Sequence, residues 1–123
     1  MKKDIEFDPF PIFQGPHQQT VFGAFLFVPK SPDSVTRIIP VDEKNAITIE
    51  TTTPAIWKIS DPTVVLVHGL CGSHESPSVI RIAKVLLSRG IKVVRLNLRN
   101  CGSAKNLSKT IFHGGQSNDV LEA

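Results

Sequence analysis

The sequence of 123 residues is poor in cysteine, in long apolar runs and in clustered charge, and each of these shortages excludes some classes of protein. It has two cysteines, Cys71 and Cys101, and acids and prolines interrupt its basic start. We therefore expect no secretory leader, free thiols and a cytoplasmic location. The longest apolar run, residues 21–28, is far shorter than the about 20 residues that a membrane helix needs, so we expect no transmembrane segment. The net charge is +3, but the basic residues form no run, which argues against nucleic acid as a partner.

Motifs for phosphate binding and for a serine nucleophile are missing as well. The sequence contains neither G-x-x-x-x-G-K-[ST] nor G-x-G-x-x-G, so its glycines predict no phosphate loop and we expect no cofactor. It also lacks G-x-S-x-G, the strained turn that exposes a nucleophilic serine. Any chemistry of this chain must therefore depend on other turns.

What is present divides into two parts. Residues 1–40 hold six of the nine prolines and six of the seven phenylalanines, and we predict that residues 1–35 form an irregular segment laid over another surface. Residues 36–123 show strand and helix patterns instead. Two of these, "TRIIPV" and "NAITIETTT", predict an antiparallel hairpin that turns at "DEKN".

A strand, a helix and a second strand follow the hairpin. "TVVLVH" is a continuous apolar run, typical of a parallel central strand that is buried on both faces, and "IKVVRLNL" is the second strand. Between them, Ser76 is a good N-cap and Pro77 suits the first helical position, while Gly90 ends the helix. We predict a βαβ unit and an α/β fold with a partly parallel sheet. The apolar stripe of the helix is expected at Val79, Ile82, Ala83, Leu86 and Leu87.

The sequence ends within a further helix signal. "SNDVLEA" predicts a helix start with Ser117 or Asn118 as its cap. The pattern stops after about one turn, which is too short for a stable isolated helix. We interpret it as a truncated element.

The stretch "HGLCGS" is the candidate site. His68 and Gly69 end a buried strand, and the tight turn that follows is suited to aim the backbone N–H of Leu70 at the oxyanion of an acyl-transfer reaction. An ordinary β-to-α turn needs glycine for the same geometric reason and is an equally good interpretation.

Other sites in these loops have weaker signals. Cys71 and Ser73 lack the closing glycine of a nucleophile elbow, and we interpret the thiols as structural. His68, Cys71 and His74 are spaced by two residues, which is not a common zinc pattern, so we expect no metal. His113 lies beside two glycines and is a candidate to line a site, although a solvated loop is its ordinary interpretation.

Four segments together resemble the YheT-like family of α/β-hydrolases. "GPHQQT" is similar to its G-P-H-x-Q-T segment and "VLVHGLCGSHESP" to its H-G-L-x-G-S-x-x-S-P stretch. "RLNLRNCGSA" is similar to its N-x-R-G-C loop and "IFHGGQSNDV" to its Y-H-x-G-x-x-x-D segment. Asn100 stands where the family motif has glycine, and Phe112 stands where it has tyrosine.

The resemblance implies a serine hydrolase of carboxylic esters or acyl substrates, whose nucleophile, acid and base follow the oxyanion strand. Only Leu70 as the oxyanion donor, with His68 and Gly69 in its turn, carries over to this chain. We expect residues 36–123 to be the N-terminal part of a three-layer hydrolase domain, truncated before the nucleophile strand and inactive alone.

The implied strand order has a consequence for association. It places the "TVVLVH" strand between the "IKVVRLNL" strand and the missing nucleophile strand, so the edge on the nucleophile side is unpaired, and there the chain would self-associate or meet a complementing chain. A second hypothesis is therefore a non-catalytic α/β interaction module that pairs through this edge.

Overall fold

The computed structural model describes residues 9, 11–12, 14–25 and 29–123. The helices and strands in this part of the chain are, in order, α1 (Pro16–Phe25), β1 (Val35–Asp42), β2 (Asn45–Thr52), β3 (Thr63–Val67), α2 (Pro77–Ser88), β4 (Lys92–Asn97) and α3 (Ser117–Leu121). A single 3₁₀ turn, Gly102–Ala104, lies between β4 and α3. No helix in the described ranges is long and apolar enough to cross a membrane.

The strands form one mixed sheet in the order β1-β2-β4-β3. β1, β2 and β4 are antiparallel neighbours, while β3 and β4 are parallel. The hairpin turns at "DEKN", where Asp42 pairs with Asn45 and its Oδ1 accepts the Lys44 N–H at 2.8 Å. The hairpin, the βαβ unit and the α/β fold class are therefore confirmed.

Helix α2 connects β3 to β4 and begins at Pro77, as predicted. Gly90 follows it with φ +77°, a left-handed conformation that glycine adopts without strain. The buried residues of α2 are Val79, Ile80 and Ala83, whereas Ile82 is 50% exposed. The predicted stripe was wrong at Ile82, because α2 packs mainly on β4 and β3 and Ile82 lies on its exposed side.

Strand β3 lies at the edge of the described sheet, beside β4, as expected. The prediction that it is a central strand buried on both faces was wrong for this chain: Val65 and Val67 are 46% and 45% exposed. Both residues share a face with Val94 and Leu96, their partners in β4. This face of β3 is therefore apolar but about half exposed.

The two faces of the β2–β4 pair differ in chemistry. One face carries the buried apolar cluster of Ile47, Ile49, Val94 and Leu96, on which Val120 of α3 packs. The opposite face carries buried polar residues in register, Thr48 beside Asn97 and Glu50 beside Arg95.

The N-terminal part differs from the prediction of irregular structure. Pro16–Phe25 is helical, with proline at a position where no N–H is needed. The N–H of Gly15 donates to Gln18 Oε1 at 3.2 Å, so a side chain three residues on closes the first turn. Residues 1–8, 10, 13 and 26–28 lie outside the described residues, and the division at residue 35 stays a prediction.

A cavity of about 570 Å³ lies on the apolar face of the sheet. Arg37, Ile49, Lys92 and Val94 are among the residues that line it. It lies where β4 begins, at the opposite end of that strand from the predicted oxyanion turn, and it is therefore not the candidate site.

Candidate functional site

The turn after β3 and the loop after β4 lie at the same edge of the sheet, because β3 and β4 are parallel neighbours. The turn runs from Gly69 to Gly72, and the Gly72 N–H donates to the Gly69 carbonyl at 3.0 Å. Cys71, its third residue, has φ +57°, whereas Leu70 is not among the residues with positive φ. A left-handed third residue with this hydrogen bond defines a type II β-turn with Leu70 at its second position.

This turn fixes the direction of the Leu70 N–H. The Gly69 carbonyl accepts two hydrogen bonds, from Gly72 N–H and from His68 Nδ1 at 2.8 Å. The peptide group is planar and trans, so the N–H of Leu70 points away from both donors. Among the residues that the structure describes, none accepts a hydrogen bond from this N–H. It is a free donor on an exposed turn residue.

His68 holds this peptide from within the protein. Its side chain is buried, and its Nε2 accepts the Leu98 N–H at 3.3 Å. A nitrogen that accepts carries no proton, so the imidazole is neutral with its proton on Nδ1, from which it donates to the Gly69 carbonyl. The sequence placed His68 in the turn, and the structure adds the hydrogen bonds that define its tautomer.

Phe112 contacts His68 from the loop after β4. The two rings have centroids 6.0 Å apart and planes 89° apart, an edge-to-face contact. The nearby His113 points elsewhere: its Nδ1 accepts the Gly115 N–H at 3.2 Å, and the residue is exposed. The prediction that His113 lines a site therefore has no support from these contacts, and Phe112, named in the sequence only as a departure, is the residue that reaches the turn.

A buried ion pair anchors the same loop to α3. Arg99 donates from Nη2 to Asp119 Oδ1 at 2.7 Å and from Nε to Oδ2. The hydrogen bonds that Arg99 donates to Asp119 raise the pKa of Arg99. Hydrogen bonds from Lys44 and Asn45, with the nearby Arg99 charge, lower the pKa of Asp42, which lies 3.4 Å from the guanidinium.

Asn100 occupies a position that glycine would otherwise favour. Its φ is +60°, in the left-handed region that asparagine tolerates better than other side chains. Its Nδ2 donates to the carbonyls of Ser108 and Thr110, at 2.9 and 3.2 Å. Asn100 therefore adopts a left-handed backbone that glycine would also adopt, and its side chain adds hydrogen bonds to the loop.

Polar residues under the turn were missed by the sequence analysis. Asn97 is fully buried, and its Oδ1 accepts the His74 N–H at 2.8 Å and His74 Nδ1 at 3.0 Å. Its Nδ2 donates to Thr48 Oγ1 and Ser103 Oγ, both at 3.0 Å. The polar residues within the two predicted strands were a signal in the sequence. Only the register of the paired strands shows that their side chains contact each other.

The candidate nucleophiles lie near the turn without a base beside them in the described contacts. Cys71 is exposed and Cys101 is half-buried, and both are free thiols. Burial raises the pKa of Cys101, and the nearby Cys71 adds to this effect. Ser73 Oγ accepts the Glu75 N–H at 3.1 Å. In the described ranges, no group of three or more His, Cys, Asp or Glu residues is arranged to hold a metal ion.

Comparison with known proteins agrees with this architecture. Residues 62–122 match the α/β hydrolase fold family, a segment that holds β3, α2, β4 and both site loops. No curated protein matches the chain.

Two solved structures are similar to it. A lidless α/β serine hydrolase from Xanthomonas campestris is 25% identical with a TM-score of 0.56, over 76% of this chain and 44% of that protein. A provisionally named hydrolase from Agrobacterium vitis S4 is 14% identical with a TM-score of 0.46, over 60% of this chain and 28% of that protein. The chain thus spans less than half the length of the Xanthomonas hydrolase. The sheet of this chain, the matched segment and the similarity to the Xanthomonas hydrolase show an α/β-hydrolase-like fold.

Proposed function

We propose that this chain supplies the oxyanion-binding half of a serine hydrolase that acts on carboxylic esters or related acyl substrates. The observation that carries the proposal is the free N–H of Leu70, which a type II turn and the buried His68 hold outward. A preorganised backbone donor is what stabilises the negative charge that develops on a carbonyl oxygen in acyl transfer. His68 and Gly69 are then positioning residues of the turn. The four quoted motifs support the finer proposal of a YheT-like hydrolase.

An oxyanion donor alone performs no covalent catalysis, because acyl transfer needs a nucleophile and a base. The sequence has no G-x-S-x-G, so the serine, the acid and the base must come from residues outside these 123. The chain by itself is therefore expected to be inactive. A cytoplasmic location stays a prediction from the two free thiols.

The missing groups would join at the outer edge of β3. This strand has a neighbour on one side only within the described sheet, and Val65 and Val67 leave an apolar strip beside the open edge. Such an edge pairs readily with another strand. We propose that a polypeptide with the nucleophile strand pairs here, and that self-association through the same edge occurs in its absence. If the partner brings no nucleophile, the second function, a non-catalytic interaction module, applies.

The first test measures hydrolysis of p-nitrophenyl esters and labelling by a fluorophosphonate serine probe. The purified chain should show neither. When it is purified from its own cells with its partner, the partner's serine should be labelled and the assembly should hydrolyse the esters. Turnover by the chain alone that is lost in Cys71→Ala would overturn the proposal, because the thiol would then be a nucleophile.

The second test isolates the Leu70 N–H. Proline fits the second position of a type II turn and removes the N–H, so Leu70→Pro deletes the donor without requiring a new turn. Leu70→Ala is the matched control, since it keeps the N–H and shortens the same exposed side chain. We expect Leu70→Pro to lower kcat of the assembly by about 10²- to 10³-fold and Leu70→Ala to leave it nearly unchanged. Equal activity of the two variants would contradict the proposed role.

A further inference from the structure

Phe112 is placed where it can control the turn indirectly. Its ring contacts the His68 imidazole edge to face, and both nitrogens of that imidazole already hydrogen-bond to backbone groups. A phenyl ring has no hydrogen-bonding atom, so it adds no partner that competes for Nδ1 or Nε2. We infer that Phe112 is a positioning residue that fixes the His68 imidazole and, through the Gly69 carbonyl, the Leu70 N–H; this inference rests on the proposed function.

The segment that carries Phe112 is fixed two residues earlier, at Thr110. Thr110 donates from its N–H and from Oγ1 to Asn45 Oδ1, both at 3.1 Å. Arg99 Nη1 donates to Thr110 Oγ1 at 2.8 Å. Together with Asn100 on its carbonyl, these bonds tie the loop to the β1–β2 hairpin and to the base of the loop after β4. The ring therefore approaches His68 from a rigid support.

The loop is held on the far side of Phe112 as well. The His113 N–H donates to Gln116 Oε1 at 2.9 Å, and the Gln116 N–H donates to the His113 carbonyl at 3.1 Å. Between these two fixed points, Ile111 is exposed whereas Phe112 is half-buried against His68. The loop thus selects one of two adjacent apolar side chains to face the imidazole, which makes Ile111 a matched control.

The test uses nuclear magnetic resonance on the ¹⁵N-labelled full chain. Long-range ¹H–¹⁵N spectra report the tautomer of His68, and amide hydrogen exchange reports the Leu98 N–H that donates to Nε2. The variants are Phe112→Leu, which removes the ring and keeps an apolar side chain, Phe112→Tyr, which keeps the ring, and Ile111→Ala. Thr110→Val removes the hydroxyl of the anchor.

We expect Phe112→Leu to populate the second tautomer of His68 and to speed Leu98 exchange by at least about tenfold, a local opening. Exchange at Ile47 and Ile49 in β2 should stay unchanged. Thr110→Val should give a weaker form of the same effect, while Phe112→Tyr and Ile111→Ala should resemble the unmodified chain.

Two results would overturn the inference. One is an unchanged tautomer and unchanged Leu98 exchange in Phe112→Leu. The other is equal acceleration at Leu98 and in β2, because the ring would then stabilise the whole fold rather than His68. Failure of the proposed function is a separate outcome, since it is read from the kcat of the Leu70→Pro assembly and not from these spectra.

Discussion

The two faces of the β2–β4 pair are both buried, but they are stabilised by different interactions. The apolar face packs Ile47, Ile49 and Leu96 together in one buried cluster. The polar face buries Glu50 beside Arg95 and has to provide hydrogen bonds for both. The apolar cluster can tolerate other apolar side chains of about the same volume, whereas the polar face requires particular partners at particular positions.

The polar face uses those requirements to hold the chain segments around the site. Arg95 donates to Ser31 Oγ at 2.6 Å, to the Pro32 carbonyl at 3.0 Å and to the His74 carbonyl at 3.4 Å. Its Nε has no partner among the described residues. Burial lowers the pKa of Arg95, although the Glu50 charge acts in the opposite direction. One side chain thus links residues 31–32 to the segment that follows the turn at residues 69–72.

The largest effect on stability is expected from a substitution that disrupts the polar face. Arg95→Met should destabilise the chain by about 3–5 kcal/mol, because it removes the three hydrogen bonds that the buried guanidinium donates to the Ser31 hydroxyl and to the Pro32 and His74 carbonyls. Urea unfolding followed by circular dichroism measures this loss, with exposed Arg89→Met as the control. A loss below about 1 kcal/mol would show that the polar face contributes as little as an exposed pair does.

The next effect concerns the apolar face. Leu96→Ala should cost about 3 kcal/mol, from the lost transfer free energy and the cavity that remains. Val65→Ala removes methyl groups on the same face where β3 is half exposed, and it should cost less than about 1 kcal/mol. The same urea unfolding assay checks both variants. Equal losses would mean that the edge at β3 is covered in solution, in support of self-association there.

The pH dependence of the free energy of unfolding should distinguish the two faces further, because only the polar face of the β2–β4 pair buries a carboxylate, that of Glu50. Burial alone would raise the pKa of Glu50, but hydrogen bonds from Ser103, Ser34 and Thr36 outweigh it and hold the pKa below the ordinary 4.5. A lowered pKa in the folded state means that the ionised group stabilises the fold above the unfolded pKa. That contribution is lost as the pH falls through the folded pKa.

The measurement compares urea midpoints at several pH values between 7 and 3. Glu50→Gln should cost about 2 kcal/mol at pH 7, and its deficit against the unmodified chain should shrink as the pH falls below about 4.5. Glu43→Gln, at the exposed hairpin turn, is the control and should show no such convergence. A deficit that is independent of pH would indicate that the loss is one of packing rather than of charge.

The fold was largely predictable because its signals are local. Proline and glycine mark the ends of α2, and the β-rich runs mark the strands, so the hairpin and the βαβ unit follow from neighbouring letters. The burial of Val65 and Ile82 was not predictable in the same way. Their apolar character predicts burial, whereas their exposure depends on which neighbours lie beside them in the described chain.

The turn of the candidate site was predictable from the sequence, but the network of contacts around it was not. Gly69 and Gly72 mark the turn, and the resemblance names Leu70 as its donor. The contacts of His68 with Leu98 and Phe112 join residues 30 and 44 positions apart, and no periodicity encodes them. The polar face was missed for the same reason, since Glu50 and Arg95 meet only through the register of two strands.

The smallest effect lies where the polar face meets the turn. Cys71 has φ +57°, which costs a residue other than glycine about 1–2 kcal/mol, so Cys71→Gly should stabilise the chain by up to about 1 kcal/mol after the entropy of the added glycine. Asn100→Gly is the matched control: it relieves a similar φ but removes three hydrogen bonds, and it should destabilise instead. Urea midpoints measure both. A smaller gain from Cys71→Gly in the Arg95→Met background would show that the polar face carries the strain of the turn.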